Sequence, residues 1–491
     1  MARPSALLRA IGCATLGTTL TACFNHVVQP DYSSIPIVPV AHIEPATRFL
    51  TKDRMFTHHA ASARGIFKWR IEKNGHHASV IPLIDEDAYD GIEGKDHLLR
   101  YKVVSISSTP SPFDKTPRPE AEQFLSLWMK ADINPVIAAG NAGNKLCPEE
   151  RNYDALRRQM VSAYSYADSA LFTGAVTPDN AVTCYTSENA PDIVYPTGYK
   201  QGFCNAYYMT QREIDDFRAT MTTGEKEGTK LQWALIHEVF TAHPDAGKLN
   251  CDIRGTSFVS PNVAAHIATL RSRFPMATDQ DIRATALLSA SQDDLITDPG
   301  QDGAYLKQSM VRNARGLRHS TLTGFGIYDP DRHENLLRHL RNNGQHITPT
   351  LVRHSGDKNI RFDFQRNARR VSMHVPDSAA TLQTIFEFRV TPQTTSPYEI
   401  YQNGLPEDVS LISPSGTEVK LLAAWDRPSL ADPRGMRLVV STSAFLGEET
   451  KGTWTLILPQ MYFGTPEVTD AKLYIWGTTG PALNSLIELK P

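Results

Sequence analysis

Residues Gly255-Thr256-Ser257-Phe258-Val259-Ser260-Pro261-Asn262-Val263-Ala264-Ala265 set a small residue and two hydroxyl residues directly ahead of an apolar, helix-like segment. Ser257 therefore falls near a helix N-terminus, where free backbone N–H groups and the helix dipole favour developing negative charge. A serine so placed acts as a nucleophile when a histidine takes its proton. The same residues also suit an ordinary Thr/Ser N-cap of a core helix. The base candidate is His59, in Thr57-His58-His59-Ala60-Ala61-Ser62-Ala63-Arg64-Gly65-Ile66-Phe67. Asn141 lies in Pro135-Val136-Ile137-Ala138-Ala139-Gly140-Asn141-Ala142-Gly143-Asn144 and offers an amide donor to an oxyanion. Such a donor is worth about 3–4 kcal/mol in the transition state, although an asparagine beside a glycine also suits a plain turn. An acid that holds the imidazole tautomer completes the set. Glu44, at the end of the apolar run from Ile35 to Ile43, is the candidate. Asp53 and Asp31 are the alternatives, and neither ends an apolar strand.

These side chains need a scaffold of strands and helices. Ile35 to Ile43, His77 to Leu83, Lys102 to Ser108 and Pro135 to Ala139 read as strands. Phe124, Leu125, Leu127 and Trp128 give an apolar face to a helix from about Pro119 to Ala131, and 278–291 suits another helix. The acidic run Asp85, Glu86, Asp87, Asp90 and Glu93 reads as a solvated loop. Its carboxylates could hold calcium but lack a recognisable loop spacing. Residues 199–250 form a long insertion in which Leu231, Leu235 and Val239 mark an amphipathic helix. From about residue 350 the texture changes to short alternating segments with Pro/Gly turns, the pattern of an all-β domain.

With 491 residues the chain is long enough for two domains or more. Its 50 basic and 53 acidic residues give a net charge of -3, which offers no footprint for nucleic acid. Arg3 and Arg9, followed by the short apolar stretch Ala10 to Leu20, read as an export signal too short to span a membrane. Leu20-Thr21-Ala22-Cys23 resembles a bacterial lipobox. Cys23 is then the lipidated residue, and the protein is anchored by acyl chains rather than by a spanning helix. Cys147, Cys184, Cys204 and Cys251 allow two disulfides in an exported chain, with three connectivities. Cys204 and Cys251 flank the insertion and could clip its base. No C-x-x-C pair points to zinc.

The motifs together resemble the subtilisin-like serine peptidases. The stretch from Gly255 to Ala265 is similar to the nucleophile helix of that family, and A-A-G-N-A-G to the loop of its oxyanion donor. His59, Ala63, Gly65 and Ile66 keep the spacing of the family's H-G-T-x-V-A-G, with Ala60 and Ala61 in place of Gly-Thr. Gly174-Ala175-Val176, Asp192-Ile193 and the G-x-G-x-x-x-P from Gly324 to Pro330 continue the likeness. The resemblance implies a doubly wound, mainly parallel α/β sheet with Ser257 as nucleophile, His59 as base and Asn141 as oxyanion donor. It also implies that the strand with Ser105, Ser107 and Ser108 presents backbone groups to the substrate's main chain. The family's D-S/T-G is missing, and Ile43-Glu44-Pro45 stands at the matching strand end. A long propeptide finds no room before residue 37.

Ser413-Pro414-Ser415-Gly416-Thr417, Phe445-Leu446-Gly447-Glu448 and Gly452-Thr453-Trp454 resemble the P domain of proprotein convertases, a β-sandwich jelly roll that packs on the protease. The implied organisation is a signal peptide at 1–22, a tether at 23–36, a peptidase domain at 37–345 and a β-sandwich at 346–491. The implied protein is a serine endopeptidase acting on protein or peptide substrates and anchored to the bacterial cell envelope, at the periplasmic face or outer membrane. It needs no cofactor for catalysis and holds no catalytic metal, with structural calcium an option. An inactive subtilase fold used as a surface binding lipoprotein is the alternative.

Overall fold

The computed structural model describes residues 38–44, 63, 67, 83–85, 101–107, 132–144, 170–177, 179–188, 191–197, 205–206, 249–250, 255–296, 309–355, 361–365, 368–391, 409–421, 424–425, 436–459 and 467–490. Residues 35–491 belong to one compact unit. Its centre is a six-stranded sheet built from β1 (Val40–Glu44), β2 (Leu83–Asp85), β3 (Val103–Ile106), β4 (Asn134–Ala138), β5 (Leu171–Val176) and β6 (Ile193–Pro196). The order is β2-β1-β3-β4-β5-β6, and every pairing is parallel. Val103, Val104, Ile106, Val136 and Ile137 are all buried, the continuous apolar texture of strands covered on both faces.

From β1 the chain pairs β2 on one side and then returns to place β3 on the other. The strand order reverses there, which opens a crevice at the carboxyl ends of β1 and β3. Glu44 is the last residue of β1, Ser107 directly follows β3, and Asn141 lies three residues beyond β4.

Two strands differ from the sequence expectation. The first covers only Val40–Glu44 of the apolar run among the described residues. The second runs on past the expected end at Leu83 to Asp85, where Leu83–Asp85 lie in parallel register with His42–Glu44, and the rest of the expected run lies outside the described residues. Asp85 therefore belongs to the sheet and not to the acidic loop. The rest of that loop, the 119–131 helix, the Leu231–Val239 helix, Asp31, Asp53 and Cys23 lie outside the described residues.

Helix α1 (Val259–Arg273) packs along β3, β4, β5 and β6. Its small residues Ser260, Ala264, Ala265 and Ala268 let it approach the sheet closely, and all are buried. Helix α2 (Asp279–Ser289) starts with a capping box. The Thr278 side chain accepts from Asp281 N, and the Asp281 carboxylate accepts from Thr278 N. Helix α3 (Pro330–Asn342) has proline in its first turn, and Asp329 caps it by accepting from Asp331 N and Arg332 N. Gly324, just ahead of α3, has φ 57°, and a Cβ there would meet the Asp192 carbonyl oxygen at 2.0 Å. No other residue fits this approach.

The chain beyond 350 forms two five-stranded antiparallel sheets around a core that includes Phe386, Phe388, Phe445 and Trp454. The SPSGT segment is the turn between the strands Val409–Ile412 and Glu418–Leu421. This region shares a core with the parallel-sheet region: Leu382, Leu446, Trp476 and Leu483 join the cluster that holds Val263, Leu287 and Leu337. Polar contacts cross the same seam. Ser443 Oγ donates to Asp192 Oδ1 at 2.6 Å, Asn313 Nδ2 to the carbonyls of Ala444 and Leu446, and Ala314 N to Glu448 Oε1 at 2.7 Å. Among the described residues no helix is long and apolar enough to cross a membrane.

Asp279, at the start of α2, is buried beside Asp132, whose Oδ1 accepts from Asp279 N at 2.7 Å. Burial, helped by the Asp132 charge, raises its pKa from 3.8 to about 6. Between these values the unfolded chain ionises while the folded chain keeps its proton, so this residue lowers stability as pH rises. Asp279→Asn is therefore expected to stabilise the protein at pH 8 by on the order of 2 kcal/mol. The gain should fade as pH falls below 6 towards 4. Urea unfolding at pH 8 and at pH 4.5 checks this; an equal effect at both values contradicts it.

Candidate active site

Ser257 lies in a single 3₁₀ turn, Thr256–Phe258, that leads directly into α1. Neither the turn nor α1 has a side-chain cap, which removes the N-cap reading of these hydroxyls. Thr256 is instead committed to the loop after β4. Its N–H and its hydroxyl both donate to Asn141 Oδ1, at 3.1 and 3.0 Å, and its Oγ1 accepts from Gly140 N at 3.1 Å.

This arrangement fixes the Asn141 amide. A backbone N–H needs an acceptor, so the carbonyl oxygen must face Thr256 and the Nδ2 donor must turn the other way. Asn141 is exposed, so the donor is turned into an accessible place. A methyl group built on Gly255 would sit 3.5 Å from that Nδ2. Gly255 itself has φ 124° and ψ 151°, a conformation reserved for glycine.

The Ser257 turn is held from three sides. Ser107 Oγ donates to the Ser257 carbonyl at 2.7 Å, and Ser260 Oγ donates to the Ile106 carbonyl at 3.1 Å. Gly255 N donates to the Tyr185 hydroxyl at 3.2 Å. The loop 140–144 is stitched to residues 183–188: Ala142 N donates to Ser187 Oγ, Ser187 N to the Gly140 carbonyl, and Asn144 Nδ2 to the carbonyls of Thr183 and Thr186. Cys184 within that segment is disulfide-bonded.

The structure thus binds Thr256, the neighbour of Ser257, to Asn141 and puts the backbone end of Glu44 on the same carboxyl edge. The Glu44 side chain, His59 and Ser108 lie outside the described residues. Ala63 and Phe67, from the histidine motif, are helical and fully buried, and Phe67 joins the cluster that contains Val259 and Val263. Ser105 is fully buried in β3, paired with His42 of β1 on one side and Val136 of β4 on the other. The Ser107 side chain is likewise buried and buttresses the Ser257 turn. Tyr185 and Ser187 were not singled out by sequence: Cys184-Tyr185-Thr186-Ser187 has no periodic or motif signature, and the contact to Gly255 spans 70 residues. Among the described residues no group of three or more His, Cys, Asp or Glu is placed to hold a metal ion.

The sequence profile of the Subtilase family matches residues 78–326, just over half of the chain, so the protein belongs to that family. Among solved structures, the serine protease of Aeromonas sobria superposes with a TM-score of 0.53 at 15% identity, over 90% of this chain and 88% of that one. The same enzyme in complex with its chaperone gives a TM-score of 0.53 at 15% identity, over 82% and 77% of the two chains. At this identity the likeness is one of fold. No curated protein sequence matches the chain.

Thr256→Val keeps the shape of the side chain but removes a donor to Asn141 and the acceptor for the buried Gly140 N–H. It is expected to destabilise the protein by about 1–3 kcal/mol, the cost of one orphaned buried group. Urea unfolding with an unchanged slope measures it, and a midpoint equal to wild type contradicts the role given to Thr256.

Proposed function

We propose that the protein is a serine endopeptidase in which Ser257 is the nucleophile, His59 the general base, Glu44 the orienting acid and Asn141 the oxyanion donor. The observation that carries this reading is the paired geometry of Thr256 and Asn141. It sets an amide donor beside the helix-start serine at the carboxyl edge of a parallel sheet. His59 stands four residues before Ala63, which is helical and buried, and this spacing supports its role. Glu44 ends β1, one of the two strands that flank the crevice, and this supports the acid assignment.

In this mechanism the His59 imidazole takes the Ser257 hydroxyl proton as Oγ attacks the scissile carbonyl. The oxyanion accepts a hydrogen bond from Asn141 Nδ2, in a position where the dipole of α1 also favours it. Collapse breaks the C–N bond, and the imidazolium returns the proton to the leaving amine. Water then repeats the sequence on the acyl-enzyme, and Glu44 stabilises the imidazolium throughout. A glutamate is one methylene longer than an aspartate, so its backbone stands slightly further from the imidazole. Substrates are proteins or peptides.

The further parts of the reading are proposals of the same kind. The two antiparallel sheets and the burial of Trp454 and Glu448 support a P-domain-like β-sandwich for 346–491 following a peptidase domain at 37–345. The Phe445-Leu446-Gly447-Glu448 segment acts structurally there, because Glu448 Oε1 accepts from both Ala314 N and the Thr417 hydroxyl. Asn205 pairs with Asn250, one residue inside Cys204 and Cys251, and this supports a disulfide clip between those two. Cys184 then pairs with Cys147. Lipidation of Cys23, anchoring to the bacterial envelope and structural calcium rest on the sequence reading.

A serine-directed fluorophosphonate is expected to label the wild type, and Ser257→Ala to abolish both labelling and peptide hydrolysis. Glu44→Gln is expected to lower kcat by about 10³-fold or more, because the wrong imidazole tautomer is favoured. A wild type that folds but neither labels nor hydrolyses any peptide supports the inactive binding alternative. Full activity in Glu44→Gln removes Glu44 from the mechanism.

A further inference from the structure

We propose that Tyr185 is a positioning residue that clamps the oxyanion loop to the nucleophile turn; this rests on the peptidase reading above. Tyr185 touches both. Its carbonyl accepts from Gly143 N at 3.0 Å, and its phenolic oxygen accepts from Gly255 N at 3.2 Å.

The clamp has a firm base. Thr183 Oγ1 donates to the Ala175 carbonyl at 2.9 Å, and Ala175 N donates to Thr186 Oγ1 at 3.0 Å, so both neighbours are fastened to β5. Ser187 N and Glu188 N donate to the Gly140 and Gly143 carbonyls, and Cys184 is tied by a disulfide. The tyrosine ring packs against the main core cluster. The phenolic oxygen is thus held at a fixed point relative to Asn141.

Thr256 is joined to Asn141 and to Gly140 N, and Ser107 Oγ holds the Ser257 carbonyl, so residues 256 and 257 are anchored while Gly255, where the chain enters the turn, still needs its own fixed point. The contact from Tyr185 acts one residue earlier, on Gly255, whose φ of 124° lies outside the region that ordinary residues favour. Anchors on the three successive residues Gly255, Thr256 and Ser257 together fix the direction in which Ser257 leaves the turn. The reaction is sensitive to this, because a misplacement of about 1 Å costs about 10²-fold in rate.

Tyr185→Phe keeps the ring and removes only the acceptor for Gly255 N–H. In the full chain, with a peptide substrate, kcat is expected to fall about tenfold while KM stays within about twofold. The thermal midpoint should stay within about 2 °C of wild type, because a partly exposed hydrogen bond contributes little. The clamp aligns Ser257 with Asn141, so its effect depends on Asn141. In an Asn141→Ala background, adding Tyr185→Phe is expected to cost less than about threefold. An unchanged kcat in Tyr185→Phe overturns the proposal. So does an equal loss in both backgrounds together with a lowered thermal midpoint, which marks a purely structural role. Ser257→Ala separates the two readings: if it stays active the peptidase reading itself falls, whereas an inactive Ser257→Ala beside a fully active Tyr185→Phe removes the clamp alone.

Discussion

The side-chain carbonyl of Asn141 accepts both the N–H and the hydroxyl of Thr256, and the arrangement at the carboxyl edge of the sheet depends on this contact. An amide has one acceptor end and one donor end. Engaging the first with two donors of a buried residue determines where the second points, at no further conformational cost. Thr256 thereby sets the orientation of the Asn141 amide beside Ser257. The contact joins a loop after β4 to the start of α1 across 115 residues of chain. It forms only if α1 lies flat along β3 to β6, and the small residues of α1 permit that.

The seam between the parallel sheet and the antiparallel sheets is built on the same economy of buried polar groups. Asp192 accepts from Phe172 N and from the Ser443 hydroxyl, and Arg283 faces it at 3.7 Å. The Arg283 Nε in turn donates to the Ala170 carbonyl. These groups are withdrawn from water, so removing one partner strands the others. The apolar residues around them belong to one continuous cluster. The antiparallel sheets are therefore packed into the same unit as the parallel sheet, and their motif residues Phe445, Glu448 and Trp454 serve packing and hydrogen bonding.

Much of this was legible in the residues themselves. The apolar runs that hold 103–106 and 134–138 are strands, the segment after Gly255 is a helix, and Thr278 starts another, because strand burial and helix capping are local in sequence. The position of Ser257 at a helix start and of Asn141 after a strand follow from the same local rules. Asp85 was misread because its place in β2 depends on register with β1, some forty residues away.

The sequence by itself determined which groups could do chemistry and on what kind of element each sits, since side-chain type, capping and periodicity act over a few residues. Only the tertiary structure decided which way the Asn141 amide faces, that Thr256 belongs to Asn141 rather than to a helix cap, and that Tyr185 reaches Gly255. Each of these is a hydrogen bond between residues 70 or more positions apart. Its existence is set by how α1 packs on the sheet, and no local pattern encodes that distance.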